Sequence, residues 1–266
     1  MDIIVCIKQV IDPETPAASF KIDTSTNNMV SPLGIAPVLD PYGEYALEAA
    51  LKLKESEGGK ITTLCLGNDL VPEVVKKSLA MGADELVLLE DDAFSGGDSY
   101  STAFALSKAI EKIGQYDLIL CGRQASDWDA GQVGLGIAEL LGLPCLSVAQ
   151  KLEVRGNSIN VECATDDGHE MIETPLPALV TVSNEIGEVR YPNIRGILAA
   201  KKKQPISWSP TDIGIESVEI GAAGCRSRIV KLYQPVREGK CEMIEADNPE
   251  EAAAKLALKL REDKLI

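Results

Sequence analysis

The chain alternates short, nearly unbroken apolar runs with longer stretches whose apolar residues recur at helical spacing. IIVCIKQV (3–10) reads as a buried strand. FKIDTSTNNMVS (20–31) alternates apolar and polar residues around a Thr/Asn turn and predicts a small hairpin. PYGEYALEAALKLKESEGG (41–59) predicts an amphipathic helix with Tyr45, Leu47, Ala50, Leu51 and Leu53 on its apolar side, ended by Gly58 and Gly59. Strands then follow at 61–67, 85–91, 116–122 and 145–149, separated by helices at 71–82, 98–114 and 131–142. This alternation predicts an α/β fold: a doubly wound parallel sheet with helices on both faces. Strands apolar along their whole length suit such a sheet, because both of their faces are covered.

After residue 150 the period changes to two. Turn signals at RGNS and DDGH predict an antiparallel hairpin addition, followed by a further strand, ALVTV (178–182). RYPNIRGILAAKKK (190–203) begins as a loop and becomes a short helix. Its closing lysines suit the dipole at a helix C-terminus, and they equally suit contact with an acidic partner. From 204 the chain is polar and irregular, with a strand expected at RIVKLY (228–233) and a last helix at 248–263. Asn248 is the expected N-cap of that helix and Pro249 its first residue. The expected organisation is an α/β domain over 1–205 and a C-terminal arm over 206–266 whose helix docks on another surface.

Composition narrows the function classes. Hydrophobic residues make up 45% of the 266, but aromatics only 4%, so the core must be aliphatic. A formal net charge of −15 argues against nucleic acid or an anionic membrane as partner. No apolar run is long enough to span a bilayer, and the N-terminus lacks a signal-peptide layout, so a cytoplasmic location is expected. The seven cysteines form no CxxC pair, which argues against a zinc or iron–sulfur site. The single histidine, His169, falls in an expected turn, DDGHE, and reads as a surface residue.

The stretch with the most chemistry is CGRQASDWDAGQVGLG (121–136), between a strand and a helix. In doubly wound sheets a ligand binds beyond the strands' carboxyl ends, where the strand order reverses. A helix N-terminus offers unpaired amides and a positive dipole end to phosphate. Gly131, Gly134 and Gly136 permit close approach to the backbone, and Gln124, Ser126 and Gln132 add neutral donors. Asp127 and Asp129 would repel phosphate, so ribose hydroxyls or backbone amides are their expected partners. The loop suits a nucleotide; the same composition also suits a plain βα turn. Asp40 and Pro41 open the helix at 41, as an ordinary cap and as a second wall of the same cleft.

These segments resemble the beta (small) subunit of electron-transfer flavoproteins. VCIKQVID, DPYGEYALEAALKLKE, LAMGADE, CGRQASDWDAGQVG, GHEMIETPLPALVTV and RYPNIRGILAAKKK look like that family's motifs in its order, over residues 1 to about 205. The resemblance implies an adenine-nucleotide-binding α/β fold and a heterodimer with an alpha subunit that carries its own FAD. FSGGDSYSTAFALSKAI (94–110) and RYPNIRGI look like the anaerobic branch. There the beta subunit holds a second FAD, takes hydride from NADH as substrate, and bifurcates or confurcates electrons. One path leads to ferredoxin or flavodoxin. The other leads through the alpha-subunit FAD to a flavin dehydrogenase of acyl-CoA or 2-hydroxyacid (lactate) type. In the respiratory branch the cleft holds AMP instead. A nucleotide-binding regulatory protein without redox chemistry is the reading from another class.

Carried over by position, the resemblance places the cofactor site at Cys6, Asp40, Pro41, Tyr42, Gly43, Leu66, Gly122, Arg123, Gln124, Ala125, Ser126, Asp127, Asp129, Ala130, Gly131, Gln132 and Val133. No side chain is expected to act as acid, base or nucleophile. Position 40 departs from the family's usual Asn, and Asp cannot donate to a ligand from its side chain. Trp128 is unusual for the family, and stacking on a ring or contact with the alpha subunit are both open to it. Ile194 aligns with the family's anchor for a dehydrogenase partner; a core residue tethering the loop is the alternative.

Overall fold

The computed structural model describes residues 1–30, 32–235, 239 and 241–266. They form two compact units, Met1–Lys231 and Leu232–Ile266. In chain order the first unit contains β1 (Asp2–Ile7), β2 (Gln9–Val10), β3 (Lys21–Asp23), β4 (Asn28–Val30), β5 (Val38–Leu39), α1 (Pro41–Glu57), β6 (Lys60–Gly67), α2 (Pro72–Val75), α3 (Lys77–Met81) and β7 (Glu85–Glu90). It continues with α4 (Ser99–Ile113), β8 (Leu118–Gly122), α5 (Val133–Leu141), β9 (Cys145–Arg155), β10 (Ser158–Thr165), β11 (Gly168–Pro175), β12 (Ala178–Val182), α6 (Ile194–Lys202) and β13 (Ile206–Trp208). The second unit contains α7 (Pro249–Glu262).

One sheet runs β11-β10-β9-β12-β8-β1-β6-β7-β13. From β9 to β13 every neighbouring pair is parallel, and β10 and β11 extend the sheet antiparallel. The chain leaves β1 toward β6 and β7 on one side, then returns to build β8 on the other. The reversal therefore falls at β1 and β8. Alternate residues of the central strands point to opposite faces. Ile3, Val5 and Ile7 pack with Leu47 and Leu51 of α1, Leu79 of α3 and Ala200 of α6. Ile4 packs with Ala103, Leu106 and Ile110 of α4 and Ile137 of α5. The two faces give the doubly wound architecture, and the core is almost entirely aliphatic.

Several expectations are met closely. The hairpin is β3–β4, although Ser31, its expected last residue, lies outside the described residues. Asn248 caps α7, its side chain accepting from the Glu251 amide, with Pro249 first. His169 is exposed.

Other expectations need correction. The strands foreseen at 145–149 and after 150 are one 11-residue strand, β9, whose first part pairs with β12 and whose second part pairs with β10. It bends at Val148, which takes φ +58 and donates its amide to Thr181 Oγ1. A β-branched residue in that region is strained, and only the irregular pairing with β12 accounts for it. The helix foreseen at 71–82 is two short pieces, divided at Lys76. No strand forms over 228–233. The edge beside β7 is taken instead by Ile206–Trp208. The first unit runs past residue 205, since Ile213, Ile215 and Ile220 are buried in its core. Among the described residues no helix is long and apolar enough to cross a membrane.

Candidate functional site

The reversal brings the ends of β1 and β8 together, so the loop 123–132 meets the start of α1. Gly122 makes that approach possible. A Cβ there would stand 2.6 Å from Tyr42 Cβ and 2.8 Å from the Tyr42 carbonyl carbon. Gly43 lies against Ile7 at ordinary contact distance.

Asp40 is the knot of this junction. It is buried, and its Oδ2 accepts from the Gly43 amide at 3.1 Å, capping α1. Its Oδ1 accepts from both the amide and the hydroxyl of Ser126, each at 2.8 Å. The carboxylate is thus fully committed to protein donors, and the difference from Asn at this position acts on the loop. Next in the chain, Asp127 receives Lys8 Nζ at 2.8 and 2.7 Å on its two oxygens. Asp129 receives Gln124 Nε2 at 2.7 Å, and its amide donates to the Ala125 carbonyl at 2.9 Å. Neither aspartate caps a helix amide. Asp129 takes φ +49, a left-handed turn that Asp tolerates better than most residues.

Arg123 lies over the Tyr42 ring, its guanidinium carbon 5.3 Å from the centroid. The Tyr42 hydroxyl also accepts from Gln124 Nε2 at 3.3 Å. The Arg123 amide donates to the Val182 carbonyl, stitching the loop to β12. Arg123 Nε is buried and finds no partner, and neither does the hydroxyl of the wholly buried Ser183, which follows β12. A buried donor without an acceptor is costly, and such atoms mark places where a further group belongs.

Beyond the loop, Gly131 takes φ +63 and Gln132 leads into α5. Side chains cap α1, α4, α6 and α7 at Asp40, Asp98, Asn193 and Asn248. No side chain caps α5. Its first turn is packed tightly underneath: a Cβ at Gly134 would meet Thr181 Cγ2 at 2.9 Å. The result is a positively polarised helix start with no side-chain cap, approached through Gly131, at the strands' carboxyl edge. Among the described residues, an uncapped turn beside an orphaned guanidinium nitrogen fits an anionic nucleotide.

The positions expected from the family largely converge. Asp40 through Gly43, Gly122 through Asp127, and Asp129 through Val133 form one contiguous patch. Cys6 sits on β1 in register with Cys121 of β8. A hydrogen bond with Cys6, and then burial, push the Cys121 thiol well up from its ordinary value. Leu66 lies on β6, on the far side of β1 from the loop, partly buried against the α4–α5 face. Ile194 begins α6 and is 77% exposed, which rules out a core role. Sequence reasoning did not single out Lys8 or Ser183. Lys8 closes the β1 motif, and a cation at a strand's carboxyl end near an acidic loop was the available signal. Ser183 had none. Two surface hollows of the chain lie elsewhere, by Asp2 and Gly114–Asp117 and beside Lys52 and Gln150.

Residues 33–213 match the family model described as the electron transfer flavoprotein domain. The chain is 39% identical over 261 residues to an electron transfer flavoprotein subunit beta of Thermoanaerobacterium thermosaccharolyticum, covering 98% of each chain. It is 36% identical to a protein of the same name from Clostridium acetobutylicum, over the full length of both. It is 35% identical, again at full length, to the caffeyl-CoA reductase-Etf complex subunit CarD of Acetobacterium woodii. With the doubly wound fold and the cradle at α5, these similarities make the chain a member of the electron transfer flavoprotein family, among its beta subunits.

Proposed function

We propose that this chain binds FAD at the cradle between β1, β8 and the start of α5, and serves a bifurcating or confurcating electron-transfer flavoprotein. The observation that carries the reading is the uncapped α5 start beside the orphaned Arg123 Nε, at the point where the sheet reverses. The α5 amides and Gly131 receive the phosphates, Asp129 the ribose, and Tyr42 and Arg123 flank the adenine. Cys6 and Leu66 contribute through their strands. Bound there, the flavin supplies hydride acceptance from NADH and release of single electrons, to ferredoxin or flavodoxin and to the alpha-subunit FAD. The likeness to CarD, a subunit of a reductase–Etf complex by its name, favours this branch.

The chain's own residues supply position and docking. Tyr191, Ile194 and Leu198 expose an apolar face ahead of and along α6, suited to a flavin dehydrogenase of acyl-CoA or 2-hydroxyacid type. Arg190 fixes the base of that segment: it bonds the buried Glu48 through Nε at 2.8 Å and Nη2 at 2.9 Å, and also reaches Glu55. The second unit, with exposed Leu256 and Leu258 on α7, would dock on the alpha subunit.

The test is co-expression with the alpha subunit and a flavin count. Two FAD per heterodimer are expected, with NADH reducing ferredoxin only when a high-potential acceptor is present. One FAD together with AMP overturns the proposal in favour of the respiratory type.

A further inference from the structure

Cys6 of β1 and Cys121 of β8 lie directly opposite one another in the parallel pairing of the two strands. Both side chains fall on the sheet face covered by α4 and α5; Cys121 is buried there and Cys6 is partly exposed. Among the described residues, no other strand pairing sets two cysteines side by side. In-register neighbours of a sheet stand about 4.8 Å apart at Cα, inside the range of roughly 4.4–6.8 Å that a disulfide spans. Their Cβ atoms must still draw together by on the order of 1 Å to reach the usual separation of a bridge.

The pair lies under the cradle. The first turn of α5 covers Cys121: a Cβ at Gly134 would stand 3.3 Å from Cys121 Cβ and 3.7 Å from its Sγ. One residue beyond Cys121, Gly122 is pressed against Tyr42, where a Cβ would stand 2.6 Å from Tyr42 Cβ. The Arg123 amide then holds the Val182 carbonyl. A shift at Cys121 therefore reaches both walls of the cradle, the α5 start and Tyr42. Interiors packed this closely transmit strain instead of absorbing it. The thiols also interact: the Cys6 side chain, ahead of burial, raises the Cys121 thiol. Cys121 thus stays protonated and shielded, and an oxidant meets Cys6 first.

We propose that Cys6 and Cys121 form a redox switch whose disulfide closes under α5 and loosens the cradle's hold on its nucleotide. This rests on the reading of the cradle as a nucleotide site, whichever adenine nucleotide it holds. The oxidant is a hydroperoxide. It oxidises the Cys6 thiol to the sulfenic acid and is reduced to an alcohol, or to water in the case of hydrogen peroxide. Cys121 Sγ then attacks Cys6 Sγ. The S–S bond forms, the S–O bond breaks, and the oxygen leaves as water with the Cys121 proton. Two electrons pass from the two thiols to the peroxide. Adjacency offsets the weak acidity of the attacking thiol, because the step is intramolecular. A bridge that strains its strands is the easily reduced kind, so a dithiol reverses it.

The experiment uses the heterodimer with the alpha subunit and hydrogen peroxide. Trypsin separates the cysteines, Cys6 in Met1–Lys8 and Cys121 in Ile113–Arg123, so mass spectrometry reads their bridge as one linked peptide. The oxidised heterodimer yields that peptide, and its affinity for the nucleotide of this subunit falls about tenfold in equilibrium dialysis. Dithiothreitol reverses both changes, as it would not reverse methionine oxidation. Cys121→Ala gives no linked peptide, leaves the Cys6 sulfenic acid open to dimedone, and keeps its nucleotide under peroxide. Cys145→Ala, outside the pair, behaves as the native protein. Should Cys121→Ala fail to assemble, the native protein's linked peptide and its reversible loss of affinity decide the matter. Absence of the linked peptide overturns the proposal. So does a linked peptide with unchanged affinity, or an equal loss in oxidised Cys121→Ala. A heterodimer with no nucleotide in this subunit sinks the cradle reading and the switch with it; a loaded one that forms no bridge sinks the switch alone.

Discussion

Asp40→Ala tests the junction on which the site depends. The carboxylate is buried and accepts three hydrogen bonds, one from Gly43 and two from Ser126. Loss of the cap on α1 costs about 1 kcal/mol. The Ser126 bonds go to a charged acceptor and contribute roughly 1.5 kcal/mol each at the low end. Removing the buried charge returns part of this, so a net loss of about 3 kcal/mol is expected. For a unit of this size that lowers Tm by roughly 6–12 °C. Asp40→Asn keeps one good acceptor and places an NH₂ against a donor, so it should lose about half as much. Ser126→Ala keeps the amide bond and should lose about 1 kcal/mol. Differential scanning calorimetry of the three variants gives the order directly. On the proposed function, flavin retained through gel filtration should fall in the same order, because the freed loop no longer holds the α5 approach. An Asp40→Ala variant within a degree or two of the native Tm refutes the reasoning, and so does one no worse than Ser126→Ala.

Three further outcomes are expected. Arg190→Leu strands the buried Glu48 carboxylate and should destabilise by about 2 kcal/mol, at the low end because Arg190 is itself a third exposed; Glu55→Gln should change urea midpoints little, as that partner is in water. Burial raises the Asp98 carboxyl, but donors from Ser101, Ser227 and Arg226 outweigh it and hold it below 3.8. A depressed carboxyl stabilises above its unfolded pKa and loses that contribution as pH falls, so Asp98→Asn should flatten the acid limb of stability below about pH 5, measured by urea melts across pH. Burial pushes the Cys65 thiol up to about 12, and Cys121 is raised as well; iodoacetamide at pH 8 should modify exposed Cys241 in the native protein and reach Cys65 and Cys121 only on unfolding, read by peptide mass spectrometry.

What was legible in the sequence was local. The apolar spacing of 41–59 marked α1 because burial of one helical face depends on residues three and four apart. Asn248 and Asp40 announced helix starts because a cap bonds an amide only three residues on. The polar, glycine-rich loop at 121–136 stood out as a candidate through its place between a strand's carboxyl end and a helix start, since its composition also suits a plain βα turn.

What failed was non-local. The apolar run at 228–233 suited a strand but pairs with none, while Ile206–Trp208 had little pattern and found a partner in β7. Cys145–Arg155 looked like two elements because its partners change from β12 to β10 midway, a fact held in other segments.

By itself, then, the sequence determined the alternating α/β class, the caps and the position of the polar loop at 121–136, since each follows from neighbours within one or two turns of chain. Tertiary structure alone decided what the loop's acids do. Lys8 reaches Asp127 across 119 residues, Asp40 reaches Ser126 across 86, and Arg190 reaches Glu48 across 142. Such pairings follow from strand order, and strand order is settled by packing two faces of one sheet rather than by any run of residues.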